Sequence, residues 1–100
     1  MIRTISRARV AYGDFQTPLE LAEQVCQKLI ELGVDPDVII EPTCGVGNFI
    51  DASSRLFRST DKILGIEINS QYVKEIRIKQ QLDLSGRIEI IEANFFQFNW

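Results

Sequence analysis

Five positions carry the chemistry this sequence can offer: Glu41, Gly45, Gly47, Glu67 and Asn94. The first three fall in "VIIEPTCGVGNFI", Val38 to Ile50, where an apolar run stops at a carboxylate and a proline. Two glycines follow, and an amphipathic pattern starts at once. Glycine lets the backbone turn tightly and come close to a ligand with no Cβ in the way. A helix beginning near Asn48 aims its free N–H groups at the same spot, which favours an anion or an electron-rich group. A dinucleotide fingerprint needs a small residue at position 50, and Ile50 stands there, so a pyrophosphate is not the natural guest. Glu41 repels phosphate and suits a cationic amine or a sulfonium. A ligand with both a carboxylate and a positive centre uses both features.

Glu67 ends the second apolar run, where α/β nucleotide sites place an acid to accept hydrogen bonds from ribose hydroxyls. Asn94 follows the third run. Its amide suits an adenine edge, and Ile68 and Phe95 stand ready to sandwich the ring. Each residue alone has a plainer explanation. Glycines after a strand are often only a turn, Asn94 is a natural turn residue, and Glu67 before a helix is favoured by the dipole. Cys44 reads better as a small buried filler than as a nucleophile. Their order at three successive strand ends outweighs those separate explanations.

The elements that position these residues are legible in the periodicity. "TPLE" opens a helix, with Thr17 as N-cap, Pro18 in the first turn and Glu20 completing a capping box. Leu21, Ala22, Val25, Cys26, Leu29 and Ile30 recur at helical spacing until Gly33. "VIIE" is a short β-branched strand of the kind buried on both faces. A second helix runs from Asn48 through Phe49, Ile50, Ser53, Leu56 and Phe57, followed by the strand "KILGIEI". Asn69 or Ser70 caps a third helix carrying Tyr72, Val73 and Ile76 to about Leu82, and "RIEIIEA" is the third strand. Strands alternating with helices predict parallel βαβ units with right-handed crossovers and helices on both sheet faces. Ligands then bind at the carboxyl ends of the strands.

Composition narrows the possibilities. The chain has 100 residues, a net charge of −3 and no histidine, which removes histidine-based catalysis and histidine metal ligation. Its two cysteines, Cys26 and Cys44, make neither a disulfide scaffold nor a zinc pattern. No run reaches the roughly 18 apolar residues of a membrane span. A soluble, cytoplasmic protein without metal or membrane is expected. Residues 1–13 hold Arg3, Arg7 and Arg9 and no acid, a basic arm able to reach phosphates.

"FQTP" at Phe15 to Pro18, "EPTCGVGNF" at Glu41 to Phe49, "GIEI" at Gly65 to Ile68 and "NF" at Asn94–Phe95 occur in one order. That series resembles the N-terminal part of the class I S-adenosylmethionine-dependent methyltransferases, and most of all the amino-group DNA methyltransferases of restriction–modification systems. The resemblance covers residues 12–98. It implies a Rossmann-like fold, with S-adenosylmethionine as cofactor and DNA as partner of the full-length enzyme. It also implies cofactor contacts. Phe15 and Thr17 would line the methionine end, with Tyr12 nearby, and Glu41 with the Pro42–Thr43–Cys44–Gly45–Val46–Gly47 loop and Asn48–Phe49 would hold the amino-acid moiety. Glu67 would bind the ribose, Ile68 and Phe95 would flank adenine, and Asn94 would take its exocyclic amine. Asn94 departs from the aspartate usual there and accepts that bond without charge.

Amino-methylating members of the family carry an [ND]-P-P-[YFW] loop after the fourth strand, which holds the target amine of a flipped base. No such tetrapeptide occurs here, so no catalytic residue is assigned. Residues 14–100 are expected to form the N-terminal portion of the domain, cut before the fourth strand and inactive alone. Its exposed sheet edge is expected to invite self-association. Methylation of an exocyclic amine of adenine or cytosine is the leading expectation. The alternatives are an RNA, protein or small-molecule methyltransferase, or a non-catalytic cofactor-binding module completed by a partner chain.

Overall fold

The computed structural model describes residues 16–81, 83 and 85–97. Helix α1 (Leu19–Glu31) leads to strand β1 (Val38–Glu41), helix α2 (Asn48–Leu56) and strand β2 (Lys62–Glu67). Helix α3 (Ser70–Gln80), strand β3 (Ile88–Glu92) and a 3-10 turn over Phe95–Gln97 follow. The strands form one parallel sheet in the order β1-β2-β3, as the alternation predicts. Register sets Glu41 beside Gly65 and Glu67 beside Glu92. The expected helix end at Leu82, the basic arm, Tyr12 and Phe15 lie outside the described residues.

Side chains alternate across a strand, so the register places Ile39, Ile63, Gly65, Ile88 and Ile90 on one face. Ile50 of α2 and Val73 and Ile76 of α3 complete a single cluster with Cys44 on that face. Both crossover helices therefore cover the same side. Among the described residues the expectation of helices on both faces is corrected, although Ile66, on the opposite face, is itself fully buried. A right-handed crossover reaches the second face only where the direction of strand addition reverses, and here each strand is added on the same side of the last. Strand β1, expected to be buried on both faces, leaves Val38 53% and Ile40 46% exposed. Full burial of side chains such as Ile63 and Val73 stabilises the covered face by about 1.5–3 kcal/mol each.

Helix α1 packs on α2. Ala22 and Ala52 are fully buried, and with Cys26 and Phe57 they form a second small cluster. Its start differs from the expected capping box. Pro18 holds the N-cap position with φ −59° and ψ 145°, and no side chain caps the helix. The physical reason lies before it: the Thr17 carbonyl accepts a 2.7 Å bond from Asn48 Nδ2, so that segment is committed to the loop after β1. Helix α3 begins as expected, with Asn69 Oδ1 accepting from the Gln71 and Tyr72 N–H groups at 3.0 and 3.2 Å.

The end of α2 is tied to the start of β3 by one side chain. Arg87 Nη2 donates to the Ser54 carbonyl at 2.7 Å, and Nη1 donates to the Phe57 and Thr60 carbonyls at 3.1 and 2.9 Å. Helix C-termini leave carbonyls without intrahelical partners, and here a cation satisfies them. Arg87→Met, which keeps the stem and removes the donors, is expected to destabilise the fold by about 2 kcal/mol in urea unfolding. A change below about 0.5 kcal/mol contradicts the staple.

Candidate cofactor-binding site

The loop between β1 and α2 is built from its amides. Cys44 N–H donates to the Ile66 carbonyl at 2.9 Å, and Gly47 N–H to the Cys44 carbonyl at 2.8 Å. Gly45 N–H donates to Glu67 Oε1 at 2.7 Å, and Val46 N–H to Gln16 Oε1 at 3.1 Å. Glu67 Oε2 accepts from Asn69 N–H at 2.8 Å, and its carbonyl accepts from Ala93 N–H at 3.0 Å. The carboxyl ends of all three strands are thus laced together through Glu67. From Cys44 to Gly47 the loop N–H groups are bonded within the protein, whereas the free N–H groups expected to face a ligand are those at the start of the following helix. Gly45 and Gly47 adopt φ of 55° and 89°. A Cβ on Gly47 would stand 3.2 Å from Ile76 Cγ1, so conformation and packing on α3 already require glycine there.

Beside this loop lies a cavity of about 90 Å³ lined by Gln16, Thr17, Glu41, Thr43, Cys44, Asn48 and Phe49. Six of these were expected at the amino-acid end of a ligand. Gln16 was not, and nothing in its type marks it beyond its place next to Thr17. Glu41 is half-buried, with Oε1 accepting from Thr43 N–H at 3.3 Å. Burial raises its carboxyl above the ordinary value of 4.5, and the Thr43 bond only partly opposes this. Burial, with the charges of Glu67 and Glu41, pushes the Cys44 thiol up to about 12. It is a neutral filler, not a nucleophile. Pro42 is half-buried at the head of the loop.

The other expected residues line the strand ends beyond this cavity. Glu67 is buried, while Ile68 is 66% exposed at the rim. Asn94 Oδ1 accepts from Phe96 N–H at 2.9 Å and its carbonyl from Gln97 N–H at 3.0 Å, so Asn94 opens the 3-10 turn. Phe95 is half-buried and meets Phe96 edge-on, with centroids 5.4 Å apart. A larger cavity of about 220 Å³ lies between α2 and α3, floored by Ile50, Ile76 and Ile88. It contains neither Glu41 nor Glu67.

A parallel sheet with helical crossovers, acids closing its first two strands and a glycine loop laced between them define a Rossmann-like fold. The chain is similar to part of the type II methyltransferases. It is 53% identical over 100 residues to the type II methyltransferase M.NspV of Nostoc sp. (strain ATCC 29411 / PCC 7524), covering 100% of this chain and 21% of that protein. It is 33% identical to the type II methyltransferase M.CvrRI of Paramecium bursaria Chlorella virus XZ-6E, over 67% of this chain and 17% of that protein. The chain thus spans about a fifth of the curated relatives it matches. Among solved structures, magnesium protoporphyrin IX methyltransferase from Synechocystis PCC 6803, determined with bound SAH, superposes with a TM-score of 0.60. That match has 23% identity and covers 93% of this chain and 47% of the other. No family model matches the chain.

Glu67→Gln tests the lacing. The amide keeps one acceptor and turns a donor toward either Gly45 N–H or Asn69 N–H, leaving two donors face to face in a buried place. A loss of about 1–3 kcal/mol in unfolding free energy is expected without any ligand present. Unchanged stability contradicts a structural share for this carboxylate.

Proposed function

We propose that this chain is the S-adenosylmethionine-binding part of a DNA methyltransferase that modifies an exocyclic amine of adenine or cytosine in restriction–modification. The 53% identity to M.NspV over the whole chain is the observation that carries the reading. The donor set fits the cofactor. Glu41 faces the small cavity with Thr17, Thr43 and Asn48, a carboxylate among hydroxyls and an amide that suits an α-ammonium and its carboxylate. Glu67 holds the loop with one lone pair on each oxygen and keeps the others for ribose hydroxyls. Ile68 and Phe95 offer apolar surface for a purine, and Asn94 an amide for its edge. Tyr12 and Phe15 are assigned to the methionine end on sequence alone. The cofactor supplies an electrophilic methyl group on a sulfonium, and the residues here bind and orient it.

Acceptors that turn the target amine toward the methyl group are assigned to chain beyond these residues, because no [ND]-P-P-[YFW] tetrapeptide occurs in the sequence. We place the protein in the cytoplasm, a setting that suits the unpaired Cys26 and Cys44. Among the described residues no helix is long and apolar enough to cross a membrane. The exposed Val38 and Ile40 and the outer edge of β1, unpaired among the described residues, support self-association of the 100-residue chain.

The full-length protein is expected to transfer a labelled methyl group to mixed-sequence DNA, and the 100-residue chain is expected to be inactive and to sediment above its monomer mass. Transfer to RNA or protein in place of DNA overturns the substrate, and turnover by a monomeric chain overturns the division of labour. Glu41 gives a pH signature. Its folded pKa is raised, so the neutral form is favoured at low pH and its contribution to stability fades as pH rises through that value. Cofactor affinity runs the opposite way, because an ammonium needs the ionised carboxylate. Calorimetric titration is expected to show binding strengthen as pH rises through a range above the ordinary glutamate value, and Glu41→Gln to flatten the profile. A flat profile in the unmutated chain refutes this role.

A further inference from the structure

Gln16 holds the outer side of the glycine loop. Its Oε1 accepts from Val46 N–H at 3.1 Å, and the neighbouring Thr17 carbonyl accepts from Asn48 Nδ2 at 2.7 Å. Two consecutive residues ahead of α1 thus grip the loop in addition to Glu67, which takes Gly45 N–H. The Gln16 amide also lies close to Gly45. A Cβ on Gly45 would stand 2.3 Å from Oε1, 2.9 Å from Nε2 and 3.0 Å from Cδ. The close approach that glycine allows at position 45 is therefore taken by this amide. It forms one wall of the cavity that contains Thr17 and Glu41.

We infer that Gln16 is a positioning residue for the amino-acid end of the cofactor, acting through the Val46 amide and through the placement of Thr17. The inference rests on the cofactor reading above. With Oε1 in place, the successive Cys44–Gly45 and Gly45–Val46 peptides are each held by a side-chain acceptor, and Thr17 is held in the cavity beside Glu41. Without it, the loop keeps only its inner ties, and the cavity loses a wall at the end where an ammonium and a carboxylate are received. The adenosine end, served by Glu67 and Ile68, does not depend on this wall.

The difference between the two ends makes the test. Full chain carrying Gln16→Met, similar in length but lacking the strong acceptor, is titrated with S-adenosylhomocysteine and with 5′-methylthioadenosine, which lacks the amino-acid end. Loss of one well-placed hydrogen bond predicts about a tenfold rise in Kd for the first ligand and no change for the second. Gln16→Glu, which restores an accepting oxygen, is expected to bring S-adenosylhomocysteine back to within about threefold of the unmutated chain. Equal weakening toward both ligands means a merely structural role and overturns the inference, as does an unchanged Kd for S-adenosylhomocysteine. If the unmutated chain binds neither ligand, the cofactor reading itself falls, and the role of Gln16 with it.

Discussion

The buried carboxylate of Glu67 is the contact on which the rest of the site depends. One oxygen fixes the loop after β1 through Gly45, the other fixes the entry to α3 through Asn69, and its own carbonyl receives Ala93 from the end of β3. A carboxylate taken from water needs hydrogen bonds to offset its lost hydration. Here backbone N–H groups supply them, with no cation among the partners within the described residues. The same acid that suits a ribose thus serves as a structural knot. That structural service explains why a strand-end acid is placed so deep.

Around this knot the chain divides its work. The β-branched strands and the apolar sides of α2 and α3 build one covered face, and α1 leans on α2 through alanines and a cysteine small enough for close approach. Arg87 keeps the far end of α2 in place by satisfying three carbonyls. The covered face therefore holds the loop against Ile76 from below, while Gln16 and Thr17 hold it from outside.

Much of this was legible in the sequence. "VIIE", "KILGIEI" and "RIEIIEA" gave three strands because β-branched runs between helical periods leave little choice, and Asn69 acted as the cap its type predicts. Glu41, Thr17, Asn48 and Phe49, singled out in the sequence, line one cavity. Three features were not legible. The placement of both crossover helices on one face follows from the direction of strand addition, which no local pattern encodes. The missing capping box at Thr17 follows from a bond to a residue 31 positions away. Gln16 escaped notice for the same reason, since its partner Val46 is distant in sequence and a glutamine before a helix has no distinctive periodicity. Local rules read local causes; these three are tertiary.

The full bonding of the loop also bears on what a guest meets on arrival. A glycine-rich segment ordinarily samples many conformations and must surrender them when it is gripped, at about 1–2 kcal/mol per residue. Here Cys44, Gly45, Val46 and Gly47 have already surrendered them to Ile66, Glu67, Gln16 and one another. Folding bears that entropic loss in advance, and a ligand encounters a rigid mould instead of a loop that closes around it. Recognition at such a surface works by complementarity of a fixed shape, and it discriminates against molecules that would require the mould to yield.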